Sequence, residues 1–251
     1  MSIASTDLIV YGCANHAQDN TSTQGGAIDT TVQIVFTDIS ATDGVEYVST
    51  NAGDTMNITT YGRSAAGTIV SETTALTGTT PTTATTQTFE RILKVVLASA
   101  AAGTVTVRKG SDNVTIATML PGTTSVRRLF YDAAADASGG SSRDFYEKIF
   151  IKNTHGSLTL TNSVVSENAD PTGYITFDLE DAQDDNNSTA SRLNTPPTGM
   201  LGTFTSADKN VPGGQNIAAG SRIGVWVKMT LAAGTAAGKN TYTIRLAGSS
   251  T

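Results

Sequence analysis

The strongest strand signal in the chain is IGVWVKMTL, residues 223–231. It places β-branched side chains around a central Trp226, and β-branched and aromatic side chains favour the pleated strand over the helix. The preference extends over the whole sequence, which has 43 Thr, 17 Val and 15 Ile among 251 residues, and 24 Gly to mark turns. We therefore predict an all-β protein with Trp226 in its core. A charged fraction of 15% argues against a coiled coil.

Segments of alternating apolar and polar residues recur along both halves of the chain, as expected of half-buried strands. Residues 89–97 fit both helical and strand spacing, and we interpret them as a strand that forms a hairpin with residues 104–107. The Thr-rich residues 77–83 are interpreted as a surface loop.

The small residues at 132–142 mark a boundary between two domains. The predicted fold is all-β, with two β-sandwich domains of the Ig-like or jelly-roll-like kind, preceded by an extended N-terminal arm. The predicted division is an arm at 1–27, a first sandwich at 28–131, a flexible linker at 132–142 and a second sandwich at 143–251.

The predicted arm, residues 1–27, has one apolar run, formed by Leu8, Ile9, Val10 and Tyr11. Because an isolated strand of four residues has no stability of its own, this run must pair with a sheet of its own chain or of a neighbour. Our hypothesis is the neighbour, which makes these four the candidate partner-binding residues. Deletion of the arm is then expected to leave folded domains that no longer attach stably.

Charge and the first residues limit the classes of partner. The net charge is −6 and the 16 Lys and Arg residues are scattered, so nucleic acid is not an expected partner. The N-terminus lacks a basic region followed by an apolar run, and no stretch approaches the roughly 18 apolar residues of a membrane span. The single Cys forbids an intramolecular disulfide. We expect a protein made in a cytoplasm, with no membrane partner, that depends on packing or on assembly.

The sequence contains no recognisable pattern of catalytic residues. The two histidines, His16 and His155, fall in the arm and in a predicted turn, and there is neither a Gly-x-Ser-x-Gly elbow nor a phosphate-binding glycine loop. We predict that the protein is not an enzyme, with no catalytic residues, no cofactor-binding residues and no cofactor.

Two segments carry metal-ligand chemistry, and neither supports a predicted metal site. Cys13 and His16 have the spacing of half a zinc site, which one thiol and one imidazole cannot complete. The acidic segment 178–187, with carboxylates from Asp178 to Asp185, lacks the spacing of an EF-hand. We interpret it as a solvated loop and leave calcium binding as the open alternative.

Several strand and turn phrases resemble structural proteins encoded near the major capsid protein of tailed bacteriophages and prophages. The phrases are residues 1–3, 21–29, 62–72, 146–153 and 223–231. The resemblance covers most of the chain and carries over no functional residue. It implies a virion protein built of β-sandwich modules, with no enzymatic activity.

Within a virion, the resemblance implies a decoration or cement protein on the outer capsid surface. Its partners would be the major capsid protein and copies of itself, as a homotrimer, after synthesis in the cytoplasm of a bacterial host. An acidic protein suits an outer face better than a DNA-lined interior. The alternatives are a tail, collar, baseplate or head-fibre component, and then a glycan-binding module of the host surface.

The predicted burial of Trp226 has a measurable consequence. Trp226→Ala is expected to destabilise its domain by about 3 to 5 kcal/mol, because a large buried side chain leaves a cavity when it is truncated. Thermal unfolding of the variant measures this loss. An unchanged transition would mean that Trp226 is exposed.

Overall fold

The predicted strand around Trp226 is present in a chain that is all-β. The computed structural model describes residues 2–16, 23–34, 37–130, 140–235 and 241–250. Within these ranges there are sixteen strands, one 3-10 turn and no α-helix. The strands are β1 (Leu8–Asn15), β2 (Gln24–Gln33), β3 (Val45–Ser49), β4 (Asn57–Arg63), β5 (Ile69–Ala75), β6 (Arg91–Leu97), β7 (Val105–Lys109), β8 (Thr115–Met119), β9 (Ser125–Arg127), β10 (Arg143–Asn153), β11 (Leu160–Ala169), β12 (Ile175–Leu179), β13 (Ser188–Thr189), β14 (Lys209–Asn210), β15 (Arg222–Leu231) and β16 (Thr243–Ser250).

The chain divides into two compact units. The inserted unit is Thr30–Tyr131, and the terminal unit combines Met1–Asp29 with Asp132–Thr251. The predicted arm at 1–27 is therefore part of a unit and does not stand apart from it. The predicted linker at 132–142 lies mostly outside the described residues. In the part of the chain that the structure describes, no helix has the length and apolarity needed to cross a membrane.

The inserted unit consists of two sheets that share one core. The larger has the strand order β9-β6-β4-β5, with the end of β2 parallel to β9, and the smaller has the order β3-β7-β8. Alternate residues of each sheet enter the same cluster, as the period-2 pattern predicts. From the larger sheet the cluster takes Ile58, Val95, Leu97 and Val126, and from the smaller Tyr47, Val105, Val107 and Met119.

The ambiguous segment 89–97 contains a strand, β6, but its predicted hairpin with residues 104–107 is wrong. β6 pairs with β4 and β9, whereas β7 pairs with β3 and β8 in the other sheet. The segment between β6 and β7 crosses from one sheet to the other, and the buried Asp54 carboxylate binds its backbone there. The backbone N–H groups of Ala102 and Gly103 donate to the Asp54 carboxylate at 2.9 and 3.0 Å.

The main sheet of the terminal unit has the order β12-β15-β10-β1, followed by the start of β2. A second sheet has the order β14-β11-β16. β10 and β15 pair over ten residues, which places Trp226 opposite Lys148. Trp226 is fully buried, as predicted.

The apolar run of the predicted arm pairs within its own chain. β1 runs antiparallel to β10, from Leu8 opposite Asn153 to Tyr11 opposite Phe150. In the strand order, β1 lies between β10 and β2, so it has a neighbour on each side. Of the two alternatives that the sequence left open, the structure shows pairing with the chain's own sheet.

Deletion of residues 1–27 is now expected to damage the terminal unit, contrary to the sequence-based expectation. The deletion removes an inner strand and leaves the backbone groups of β10 along that edge without partners. Calorimetry should show that the cooperative unfolding of this unit is lost. Deletion of residues 1–4, which precede β1, is the control; an unchanged transition after the longer deletion would contradict the assignment.

Candidate functional site: an uncovered sheet edge

The Cys13 and His16 side chains do not form an open ligand pair. The Cys13 backbone N–H donates to His16 Nε2 at 2.9 Å, and the Cys13 thiol is buried. Burial raises the pKa of this thiol to about 12, so it stays protonated and unreactive at neutral pH. Across the described ranges, no three His, Cys, Asp or Glu side chains are grouped to hold a metal ion.

The acidic segment 178–187 is not simply a solvated loop, since Asp178 and Glu180 are fully buried. Its carboxylates bind three different cations. Asp178 pairs with Lys209 at 3.1 Å, Glu180 with Lys148, and Asp184 with Arg222 at 3.3 Å. Because Asp178, Glu180 and Asp184 each turn toward a different cation, these three carboxylates do not converge on a common point.

His155 lies in a turn, as predicted. The backbone N–H groups of Ser157 and Leu158 both donate to His155 Nδ1, at 3.1 and 3.0 Å. This nitrogen therefore acts as a hydrogen-bond acceptor that closes the turn between β10 and β11.

Two buried ion pairs on β10 were missed by sequence reasoning. Lys148 pairs with Glu180, and Glu147 pairs with Arg192 at 2.6 Å; none of the four side chains is more than 1% exposed. Burial lowers the pKa of Lys148 and raises that of Glu180, and their mutual hydrogen bond opposes both shifts. A Cβ at Gly224 would overlap the Glu180 carboxylate, so this contact also requires glycine there. These pairs join β10 to the segments that carry Glu180 and Arg192.

The edge strands β3 and β5 of the inserted unit differ in whether their outer backbone groups are hydrogen-bonded, and this difference defines the candidate site. An edge strand presents backbone N–H and C=O groups that have no partner within the sheet. In an antiparallel pair, the backbone groups of successive residues point alternately toward and away from the neighbouring strand. Thr50 N–H donates toward β7, so the backbone groups of Val45, Tyr47 and Ser49 point away from β7, to the open edge.

The β3 edge is covered by residues 78–85, which we call the threonine loop. Tyr47 N–H donates to Thr82 Oγ1 at 3.1 Å and its carbonyl accepts from Thr82 N–H. Val45 makes the same pair of bonds with Thr85. Ser49 N–H donates to the Gly78 carbonyl at 3.0 Å. The predicted surface loop at 77–83 is therefore partly buried, with Thr82 only 6% exposed.

The β5 edge has no such cover. Leu76 N–H donates inward to the Met56 carbonyl at 3.0 Å, so the even-numbered residues of β5 bond to β4 and the odd-numbered ones face outward. In the described part of the chain, no hydrogen bond reaches the outward backbone groups of Ser71 or Thr73. Outward N–H and C=O groups of this kind are the ones that a neighbouring strand would bind.

The usual protections of an edge strand are also missing from β5. It pairs with β4 over seven residues without a bulge, and it contains neither Lys nor Pro. The side chains that accompany the outward backbone groups are exposed and uncharged: Ile69, Ser71, Thr73 and Ala75. Ile69 is 50% exposed, one of the most exposed large apolar side chains described.

Glu72 is the single charged residue of β5, and its carboxylate is hydrogen-bonded within the inserted unit. The Glu72 carboxylate accepts hydrogen bonds from the backbone N–H groups of Thr86 and Gln87, at 3.0 and 2.7 Å, and from the Thr86 hydroxyl. Burial alone would raise the pKa of Glu72, but these hydrogen bonds outweigh it and lower the pKa overall. These contacts, which we call the Glu72 anchor, tie β5 to the segment that follows the threonine loop.

Comparison with known proteins adds no residue to this site. The chain matches no family model, no curated protein and no solved structure.

The Glu72 anchor predicts a pH-dependent stability. A carboxylate whose folded-state pKa lies below its unfolded value contributes stability above that unfolded value, about 4.3, and the contribution is lost as the pH falls through the folded-state pKa. Glu72→Gln should therefore destabilise the inserted unit at pH 7 by about 1 kcal/mol, a modest amount because the site is partly solvated. The difference between the variant and the wild type should shrink as the pH falls below the unfolded-state pKa of the carboxylate. Equal stability at pH 7 would show that the anchor is not formed.

Proposed function

We propose that the chain is a non-enzymatic structural protein of a phage virion. In this proposal it is a decoration or cement protein, which binds the outer surface of the capsid and stabilises the shell through contacts between subunits. Its partners are the major capsid protein and copies of itself, arranged as a homotrimer. Both compact units are proposed to be β-sandwich modules of the Ig-like or jelly-roll-like kind.

The observation that carries the proposal is the uncovered edge of β5. Uncovered edges pair readily with a strand from another chain, so soluble proteins normally cover or charge them. Here the neighbouring sheet covers its β3 edge with the threonine loop, whereas β5 has no cover in the described residues. Since Leu8, Ile9, Val10 and Tyr11 are already paired with β10, we assign the partner-binding surface to β5 in their place.

The distribution of charge supports a position on the outer face. Thr30–Tyr131 contains seven acidic and seven basic residues, so the net charge of −6 resides in the rest of the chain. An acidic unit is repelled by packaged nucleic acid and remains soluble when it faces solvent. The inserted unit, whose acidic and basic residues are equal in number, meets a protein surface without such repulsion.

The candidate reactive groups support a structural role. The Cys13 thiol is buried and protonated, His155 closes a turn, and the buried carboxylates Asp178 and Glu180 are held by lysines. Each group is used to hold the fold together.

The test is the copy number of the chain in purified particles, relative to the major capsid protein, by quantitative mass spectrometry. A decoration protein should give a ratio near one or a simple fraction of one, because it follows the capsid lattice. A few copies per particle would move the chain to the tail or to a vertex and contradict the decoration role. Absence from the particles would overturn the virion proposal altogether.

A further inference from the structure

We infer that the β5 edge binds a second copy of β5, antiparallel, about a two-fold axis centred on Thr73. The inference deepens the proposed function by naming the partner of that edge, and it rests on the assembly role assigned to β5. Because the β5 edge pairs with the same edge of a second copy, this contact joins copies two at a time and would link neighbouring trimers on a lattice.

The backbone limits the pairing to a few registers. Hydrogen bonds between two copies can come only from the outward groups of Ile69, Ser71, Thr73 and Ala75. A two-fold axis near the middle of the strand therefore lies at Ser71, at Glu72 or at Thr73.

Two of these registers are disfavoured by the side chains. An axis at Glu72 sets the two Glu72 carboxylates directly opposite one another, and like charges in that position are destabilising. An axis at Ser71 sets Glu72 opposite Val70, a side chain that packs against the core cluster. Neither register offers the carboxylate a polar neighbour.

The register centred on Thr73 resolves both conflicts. It sets Thr73 opposite its own copy and Glu72 opposite Thr74. On the core side it sets Val70 opposite Leu76, so an apolar residue faces an apolar residue across the two copies.

The Thr73 register also extends a contact that already exists in the sheet. The Thr59 and Thr73 hydroxyls are hydrogen-bonded at 2.8 Å on the outer face. Pairing of Thr73 with its copy would create a row of four threonines across the two sheets, and cross-strand Thr pairs are favourable.

A second copy fits this edge better than a charged segment of another protein. The outward-facing side chains of β5 are uncharged, so they offer no selectivity for an acidic or a basic strand. The inserted unit has equal numbers of acidic and basic residues, so two copies meet through it without net repulsion. One strand edge buries far less than the roughly 1,600 Å² of a standard interface, so the pairing should be weak alone and effective when many copies are arrayed.

The test of self-pairing uses Thr73→Pro. Among the backbone groups of β5, proline removes only the outward N–H of residue 73, and it is tolerated on an edge strand, so the ladder with β4 is retained. Thr73→Val is the matched control, because it also loses the hydroxyl but keeps the N–H. In sedimentation velocity over a range of concentrations, wild type and Thr73→Val should associate with rising concentration, and Thr73→Pro should associate at least tenfold more weakly. Circular dichroism verifies that all three are folded.

The register is tested by oxidative cross-linking of single cysteines. The native Cys13 is 1% exposed and does not compete. Thr73→Cys should form a disulfide-linked dimer by itself, whereas Ser71→Cys and Ala75→Cys should cross-link only when mixed with each other. Faster cross-linking of Ser71→Cys alone would overturn the register.

The outcomes separate this inference from the proposed function. Suppose that the wild type stays unassociated at all concentrations, but is found in particles at the copy number of a decoration protein. That result would overturn self-pairing and leave the virion role standing. Association that depends on Thr73, in a chain that is absent from particles, would support self-pairing and overturn the virion role.

Discussion

A strand at the edge of a sheet must find partners for half of its backbone N–H and C=O groups, and this constraint organises the inserted unit. At β3 the N–H groups donate to hydroxyl and carbonyl oxygens of the threonine loop, and the carbonyls accept from the backbone N–H groups of Thr82 and Thr85. Threonine suits this task because it favours extended backbone and also carries a hydrogen-bonding hydroxyl. The threonines of this chain therefore favour strand formation and also supply hydrogen bonds to a strand at the edge of a sheet. At β5 the same constraint is unmet within the described chain, and the proposed function follows from that difference.

The terminal unit is organised by a different requirement, the pairing of buried charges. Lys148 lies on β10 opposite Trp226, and its ammonium group also donates to the carbonyls of Gly26 and Asn187, at 3.1 and 3.0 Å. A charge without these partners would be costly at full burial, so the contacts disfavour any shift of β10 against its neighbours.

The sequence was informative where local pattern decides the structure. The apolar stretch around Trp226 predicted a buried strand, and both the strand and the burial are confirmed. The hairpin of β6 with β7 was predicted wrongly, because the intervening turn is held by Asp54, which lies far away in the sequence. The candidate site had no local signal either. β5 is recognisable as a strand, but its place at an edge depends on the order of strands, which long-range packing sets.

Hydrogen exchange of the β5 amides, measured residue by residue by NMR on dilute protein, tests the central claim most directly. The account predicts an alternation, with slow exchange at Glu72 and Thr74, which bond to β4, and fast exchange at Ser71 and Thr73, which face outward. On assembly, Ser71 and Thr73 should become protected as well. If the Thr73 amide in the dilute protein were as protected as that of Glu72, the edge would already be covered and the claim would be wrong.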